Sequence, residues 1–319
     1  MYRTNCCGRI LSLTVCAVLH LTVAPNTSAQ SSRTAEPEEV KLTTKDGVRL
    51  GVTYYASSMG KKAVPVVMLH DYKESRAVFH ALAQALHSPR EPNQDSHAVL
   101  TVDLRGHGDS TTAEDEFSGR RLEIEADRLK TQDFRNMVQF DMEAVRKFLV
   151  TKNDAGELNL NKLCLIGSGL GANVATSWSA VDWSAEELPR IKQGQDVKAL
   201  LLASPGLKSH GFSLIKPLRQ PGVQREVSVF VVYGEGNLKA SKDAKTIHKN
   251  LEKYHPRPKG REFPELVILP LPTELQGTKL LTDPQFNMLS RIKRFLEARL
   301  TEQDYEWLRR RPQQLAAPG

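Results

Sequence analysis

The sequence predicts an α/β domain built on a mostly parallel sheet, and three observations predict it. Segments that are apolar throughout, at residues 64–69, 98–102, 163–166, 197–203 and 227–233, alternate with segments of helical periodicity. Strands with two apolar faces belong to a parallel sheet covered by helices on both sides. An Asp46-Gly47 turn between two alternating runs adds an antiparallel hairpin at the start.

The elements follow in order. Residues 1–29 read as an export signal. Arg3 and Arg9 give a basic start, residues 10–24 are mostly apolar, and Thr27-Ser28-Ala29 forms a small-x-small cleavage site. The apolar run is shorter than the roughly 18 to 20 residues that span a bilayer, so cleavage and a secreted or periplasmic product are expected, with no stable membrane span. Residues 30–39 form a polar lead-in containing Pro37. The domain proper covers residues 40–300. The hairpin strands are residues 40–44 and 48–55; the strand at 64–69 precedes a helix at 75–87; the strand at 98–102 precedes a polar insertion through Lys130 and a helix at 133–150. The strand at 163–166 leads into a helix at 172–181. Two more apolar strands, at 197–203 and 227–233, precede a helix at 240–253 and an eighth strand at 266–269. Residues 277–300 are helical with a break at Pro284, which lacks the N–H that helix continuation requires. Residues 301–319 form a charged C-terminal tail.

Loss of Arg3 and Arg9 with the leader would lower the formal charge from +7 to +5. The basic residues are interspersed with acids, as in Arg120-Arg121-Leu122-Glu123, and no aromatics are interleaved, so no nucleic-acid surface is expected. Three of the four cysteines, Cys6, Cys7 and Cys16, fall in the leader. Cys164 alone cannot form an internal disulfide, so the core must hold the fold.

The chemistry is concentrated at Gly167-Ser168-Gly169-Leu170-Gly171, between a strand and a helix. A strand, a tight glycine-rich turn and a helix make the G-x-S-x-G nucleophile elbow, whose central serine stands exposed on a strained turn. Here the central residue is Gly169, which has no side chain and can form no acyl-enzyme. The same stretch fits G-x-G-x-x-[GA], but a dinucleotide fingerprint belongs to the first strand of its unit, with an acid at the end of the second. This turn follows the fifth strand, and the next strand ends in Ser204-Pro205. No cofactor is expected, and His248 and His255 give no metal site.

Two further motifs accompany the elbow: Met68-Leu69-His70-Asp71 after the third strand, and Asp103-Leu104-Arg105-Gly106-His107-Gly108-Asp109-Ser110 after the fourth. With these the chain resembles the α/β-hydrolase superfamily, in its serine aminopeptidase and lysophospholipase-like branch, over about residues 40–300. The resemblance implies an eight-stranded α/β-hydrolase fold and a triad in the order Ser, Asp or Glu, His. It puts the nucleophile position at Gly169, the acid position at Asn237 in the Gly234-Glu235-Gly236-Asn237 turn, and the histidine position at Gln276. It also implies oxyanion-side equivalents at His70, Asp71 and Leu170, with Asp71 standing where relatives carry glycine. No histidine follows His255 in the sequence. The resulting expectation is a degenerate triad and a protein acting by binding an unidentified small molecule or partner protein. Two other readings stay open. One is a working esterase or peptidase with relocated groups, for which Ser168 and His210 are the fallback candidates. The other is an interaction scaffold presenting Trp183.

Overall fold

The computed structural model describes residues 35–89, 94–114, 118–188, 191–258, 260 and 262–311. The expected signal peptide lies outside them. Eight strands form one sheet: β1 (Glu38–Thr43), β2 (Arg49–Tyr55), β3 (Pro65–Leu69), β4 (Ala98–Val102), β5 (Leu163–Ser168), β6 (Val197–Ala203), β7 (Ser228–Gly234) and β8 (Leu266–Leu271). Their order across the sheet is β1-β2-β4-β3-β5-β6-β7-β8. β2 is antiparallel to both β1 and β4, and the other neighbouring pairs are parallel. β1 begins at Glu38, inside the segment read as a lead-in.

Side chains alternate across a strand, so an apolar strand feeds two cores. Val67, Leu100, Leu165, Leu200 and Val229 pack on one face against α2 (Met142–Asp154), α3 (Leu170–Asp182) and α4 (Leu238–Leu251). Val66, Val99, Ile166, Leu201 and Phe230 pack on the other against α1 (His80–His87) and α5 (Met288–Leu296). Truncating one of these side chains to alanine would cost about 2–5 kcal/mol. The helical break comes where Pro284 demands it: Thr278–Thr282 ends, Asp283 caps a 3-10 turn over Pro284–Phe286, and α5 follows. Among the described residues no helix is long and apolar enough to cross a membrane.

The Asp103–Ser110 motif is a structural knot. The Asp103 carboxylate accepts from the Arg76 and Asp109 backbone N–H groups at 2.6 and 2.8 Å and pairs with the Arg76 guanidinium. Arg105, only 2 % exposed, is held between Asp46 and Asp141. The polar insertion contains a small hairpin, Thr112–Glu114 with Arg121–Glu123. The first part of the charged tail is laid along the edge of the domain. Asn153, Asn159 and Asn161 donate to the carbonyls of Leu308, Tyr305 and Glu306, and the Trp307 indole N–H donates to Leu158 O at 3.2 Å.

Candidate functional site

β5 ends at Ser168 and α3 begins at Leu170, so Gly169 alone makes the turn. Its φ of 48° and ψ of −109° lie where an L-residue is strained and glycine is not. Gly171 allows α3 to approach β3, because a methyl group there would run into the Leu69 and His70 carbonyls. The first turn of the helix therefore lies directly against the loop after β3, and Gly171 N–H donates to His70 O at 3.1 Å.

That contact creates the central feature of the site. The backbone N–H groups of Leu170, just after the apex, and Tyr72, two residues past His70, converge on one point. The point is occupied by Oδ1 of Asp71, which accepts from Leu170 at 2.8 Å and from Tyr72 at 2.7 Å. Paired N–H donors at a helix N-terminus are the means of stabilising a developing oxyanion. Here the negative oxygen belongs to the protein itself. Bonds from N–H donors to a carboxylate are charge-assisted, worth about 1.5–3 kcal/mol each. A Cβ built on Gly169 would overlap the carboxyl carbon and both oxygens of Asp71. The aspartate thus also takes the volume that a nucleophile's side chain would need. Asp71, which stands where the resemblance implies glycine, faces the site and fills it. On its other side Gly277 closes in, its own Cβ position 2.8 Å from Asp71 Oδ2.

The remaining candidates are tied elsewhere. Gln276 Oε1 accepts from Ser204 Oγ at 2.7 Å, and its Nε2 donates to Gly234 O at 2.9 Å, so the amide pins the loop after β8 to the end of β7. Asn237 Oδ1 caps α4 by accepting from Ala240 N–H at 3.0 Å. Asp243, a possible substitute acid, binds Leu207 N–H and Lys239. Ser168 is fully buried and bonds Thr278 Oγ1. Thr278 in turn must donate to the Glu74 carboxylate, at 2.5 Å, so the Ser168 proton points along a Ser–Thr–Glu chain and not at an imidazole. Tyr72, Glu74 and Thr278 were not singled out from the sequence. Glu74 and Thr278 are 204 residues apart, and no local pattern links them.

His70 is locked. Leu104 N–H donates to its Nε2 at 3.0 Å, so Nδ1 carries the proton and donates to Asp71 O at 2.7 Å. Burial pushes its pKa down to about 4, with the backbone bond to Asp71 opposing. His210 is half-buried, at the turn of a short hairpin between Lys208–Ser209 and Phe212–Ser213. It stacks 4.8 Å from the Tyr72 ring and 5.1 Å from that of Phe134, over the Asp71 loop, with Nδ1 bonded to Ser209 Oγ at 2.7 Å. Burial lowers its pKa. Ser168 and His210 share no hydrogen bond: the serine is committed to Thr278 and the imidazole Nδ1 to Ser209. Cys164 is buried, and desolvation raises its thiol far above the ordinary range, which leaves it inert. Trp183 is half-buried and tied in place: its indole N–H donates to Val197 O at 2.8 Å and its ring lies against Gly222.

The strand order, with β2 antiparallel and a strand–glycine–helix turn after β5, decides the architecture. This is the α/β-hydrolase fold. An esterase from Pyrococcus furiosus superposes with a TM-score of 0.56 at 15 % identity, over 83 % of this chain and 93 % of its own. A peroxisomal alpha-beta-hydrolase from Saccharomyces cerevisiae gives 0.55 at 14 %, over 90 % and 94 %. An acylaminoacyl peptidase from Pyrococcus horikoshii gives 0.55 at 12 %, over 86 % of this chain and 43 % of the peptidase. No family model matches this sequence, and no curated protein does.

Proposed function

We propose that this protein keeps the α/β-hydrolase architecture without serine-hydrolase chemistry, and that it is an exported protein acting by binding. One observation carries the reading: the Asp71 carboxylate takes both N–H donors of the oxyanion cradle and the volume above Gly169. Acyl transfer needs a nucleophile, a base beside it and an empty cradle for the developing negative charge. The apex offers no reactive atom, the loop after β8 offers an amide, and the cradle is filled. The esterase and peptidase named among the structural neighbours would suggest acyl transfer for this chain, but each of these three features opposes it. The leader at residues 1–29 supports export.

Reporter-ester turnover tests the reading. The wild type is expected to match the uncatalysed rate. Gly169→Ser with Gln276→His is expected to remain inactive, because Asp71 still blocks the serine. Adding Asp71→Gly is expected to produce turnover. Without an orienting acid, that rate should stand roughly 10²-fold above the parent. Turnover by the wild type that Ser168→Ala abolishes would instead establish an active enzyme with relocated groups.

A further inference from the structure

At the end of α3 remote from the elbow, about 20 Å along the helix axis at 1.5 Å per residue, a cavity of about 420 Å³ opens between α2, α3 and the C-terminal segment. Its floor is cationic. Arg146, Lys192 and Arg310 converge on one buried carboxylate, that of Asp196, at 3.4, 3.6 and 2.7 Å. Asp182 supplies the second carboxylate of the floor, but its Oδ2 is taken by the N–H groups of Asp196 and Val197. Burial, reinforced by the Asp196 charge, raises the pKa of Asp182 to about 7 and so weakens it as a counter-charge. Lys147 and Arg311 add positive charge at the rim, and Glu143 opposes it. Burial likewise pushes Lys192 down to about 8, but by count five cations, Arg146, Lys147, Lys192, Arg310 and Arg311, face three carboxylates, Asp182, Asp196 and Glu143.

The floor also holds unused donors, beside one buried acceptor, Asp182 Oδ1, that has no partner among the described residues. Arg310, its side chain 2 % exposed, gives one terminal nitrogen to Lys192 O and the other to Asn161 Oδ1, while its Nε–H has no acceptor among the described residues. The Nε–H of Arg146 is likewise buried without an acceptor among the described residues. A buried donor left unpaired costs about 1–3 kcal/mol, so an oxyanion reaching both would be stabilised by more than its charge. The wall is apolar, formed by Val150, Trp178 and the half-exposed Val181.

We propose that this cavity binds a small organic anion, a phosphomonoester or carboxylate on an apolar body, with the oxyanion against Arg146 and Arg310 and the body against Trp178 and Val181. Calorimetric titration of the full chain tests it with phenyl phosphate, phenylacetate, inorganic phosphate and benzyl alcohol. One of the two aromatic anions should bind saturably at one site, and the tighter one identifies the headgroup. Inorganic phosphate should bind at least about tenfold more weakly, lacking the apolar contact, and benzyl alcohol should give no saturable heat. Arg146→Gln should weaken the anion more than about tenfold. Lys147→Glu, at an exposed rim position, should weaken it about three- to tenfold with an unchanged circular dichroism spectrum, and it carries the test if Arg146→Gln does not fold. Absence of saturable binding by both aromatic anions would overturn the proposal. Equal affinity for inorganic phosphate, or an affinity unmoved by Lys147→Glu, would do the same. The Asp71, Gly169 and Gln276 variants should bind as the wild type does, which separates this site from the elbow.

Discussion

Asp71 and Gly169 occupy adjoining volumes, and their dependence on one another is measurable. In Gly169→Ala the new methyl group meets the Asp71 carboxylate, and the residue must hold a φ of 48°. Strain of this kind costs about 1–3 kcal/mol before any clash is counted. The substitution is therefore expected to destabilise the protein by about 3 kcal/mol in urea unfolding. Placing it on an Asp71→Gly background removes the clash and keeps the strain. The two changes should then couple by about 1–2 kcal/mol, the size seen for residues in contact. Strict additivity would show that the carboxylate does not occupy the apex. Asp71 was visible in the sequence as an anomaly, an acid where the resemblance implies glycine. That its side chain turns back onto Leu170, 99 residues away, was not visible, because the contact depends on how closely α3 approaches β3.

At the scale of elements, His70 ties the end of β3 to the segment after β4 through Leu104, and it does so only as neutral imidazole. Its folded pKa of about 4 lies below the unfolded value of about 6.5. The unfolded chain therefore binds the proton first as pH falls. The stabilisation is complete above pH 6.5 and is lost progressively down to about pH 4, by about 3 kcal/mol. Asp182, raised to about 7, works in the opposite sense, losing stability as pH rises from its ordinary carboxylate range. The clean test is a difference between proteins. His70→Gln should be less stable than the wild type at pH 7.5 and should approach it by pH 4.5, as judged by denaturant midpoints. A constant gap across that range would show that His70 is not held neutral. The elements themselves were largely legible, because a strand apolar on both faces can lie only in a covered sheet. The hairpin in the insertion was not, since Thr112–Glu114 and Arg121–Glu123 are short and partly polar and pair only in their tertiary setting.

Across the whole molecule, the segment after Thr301 acts as a strap. The sequence presents it as a charged tail, yet its backbone carbonyls accept from three asparagines: Asn159 and Asn161 have no other amide acceptor among the described residues, and Asn153 donates to Asp154 as well. Removing residues 302–319 is expected to destabilise the protein by at least about 3 kcal/mol, lowering its urea midpoint. An unchanged midpoint would make the strap incidental. Sequence reasoning missed it because backbone acceptors carry no compositional signal, whereas the empty apex at Gly169 was legible in a single letter. The absence of a reactive group at that apex is what separates this protein from a serine hydrolase. Intact-mass analysis of the purified protein after treatment with a fluorophosphonate probe measures it directly. The mass is expected to stay unmodified under conditions that fully label an active serine hydrolase. A stoichiometric adduct on Ser168 or any other serine would contradict it.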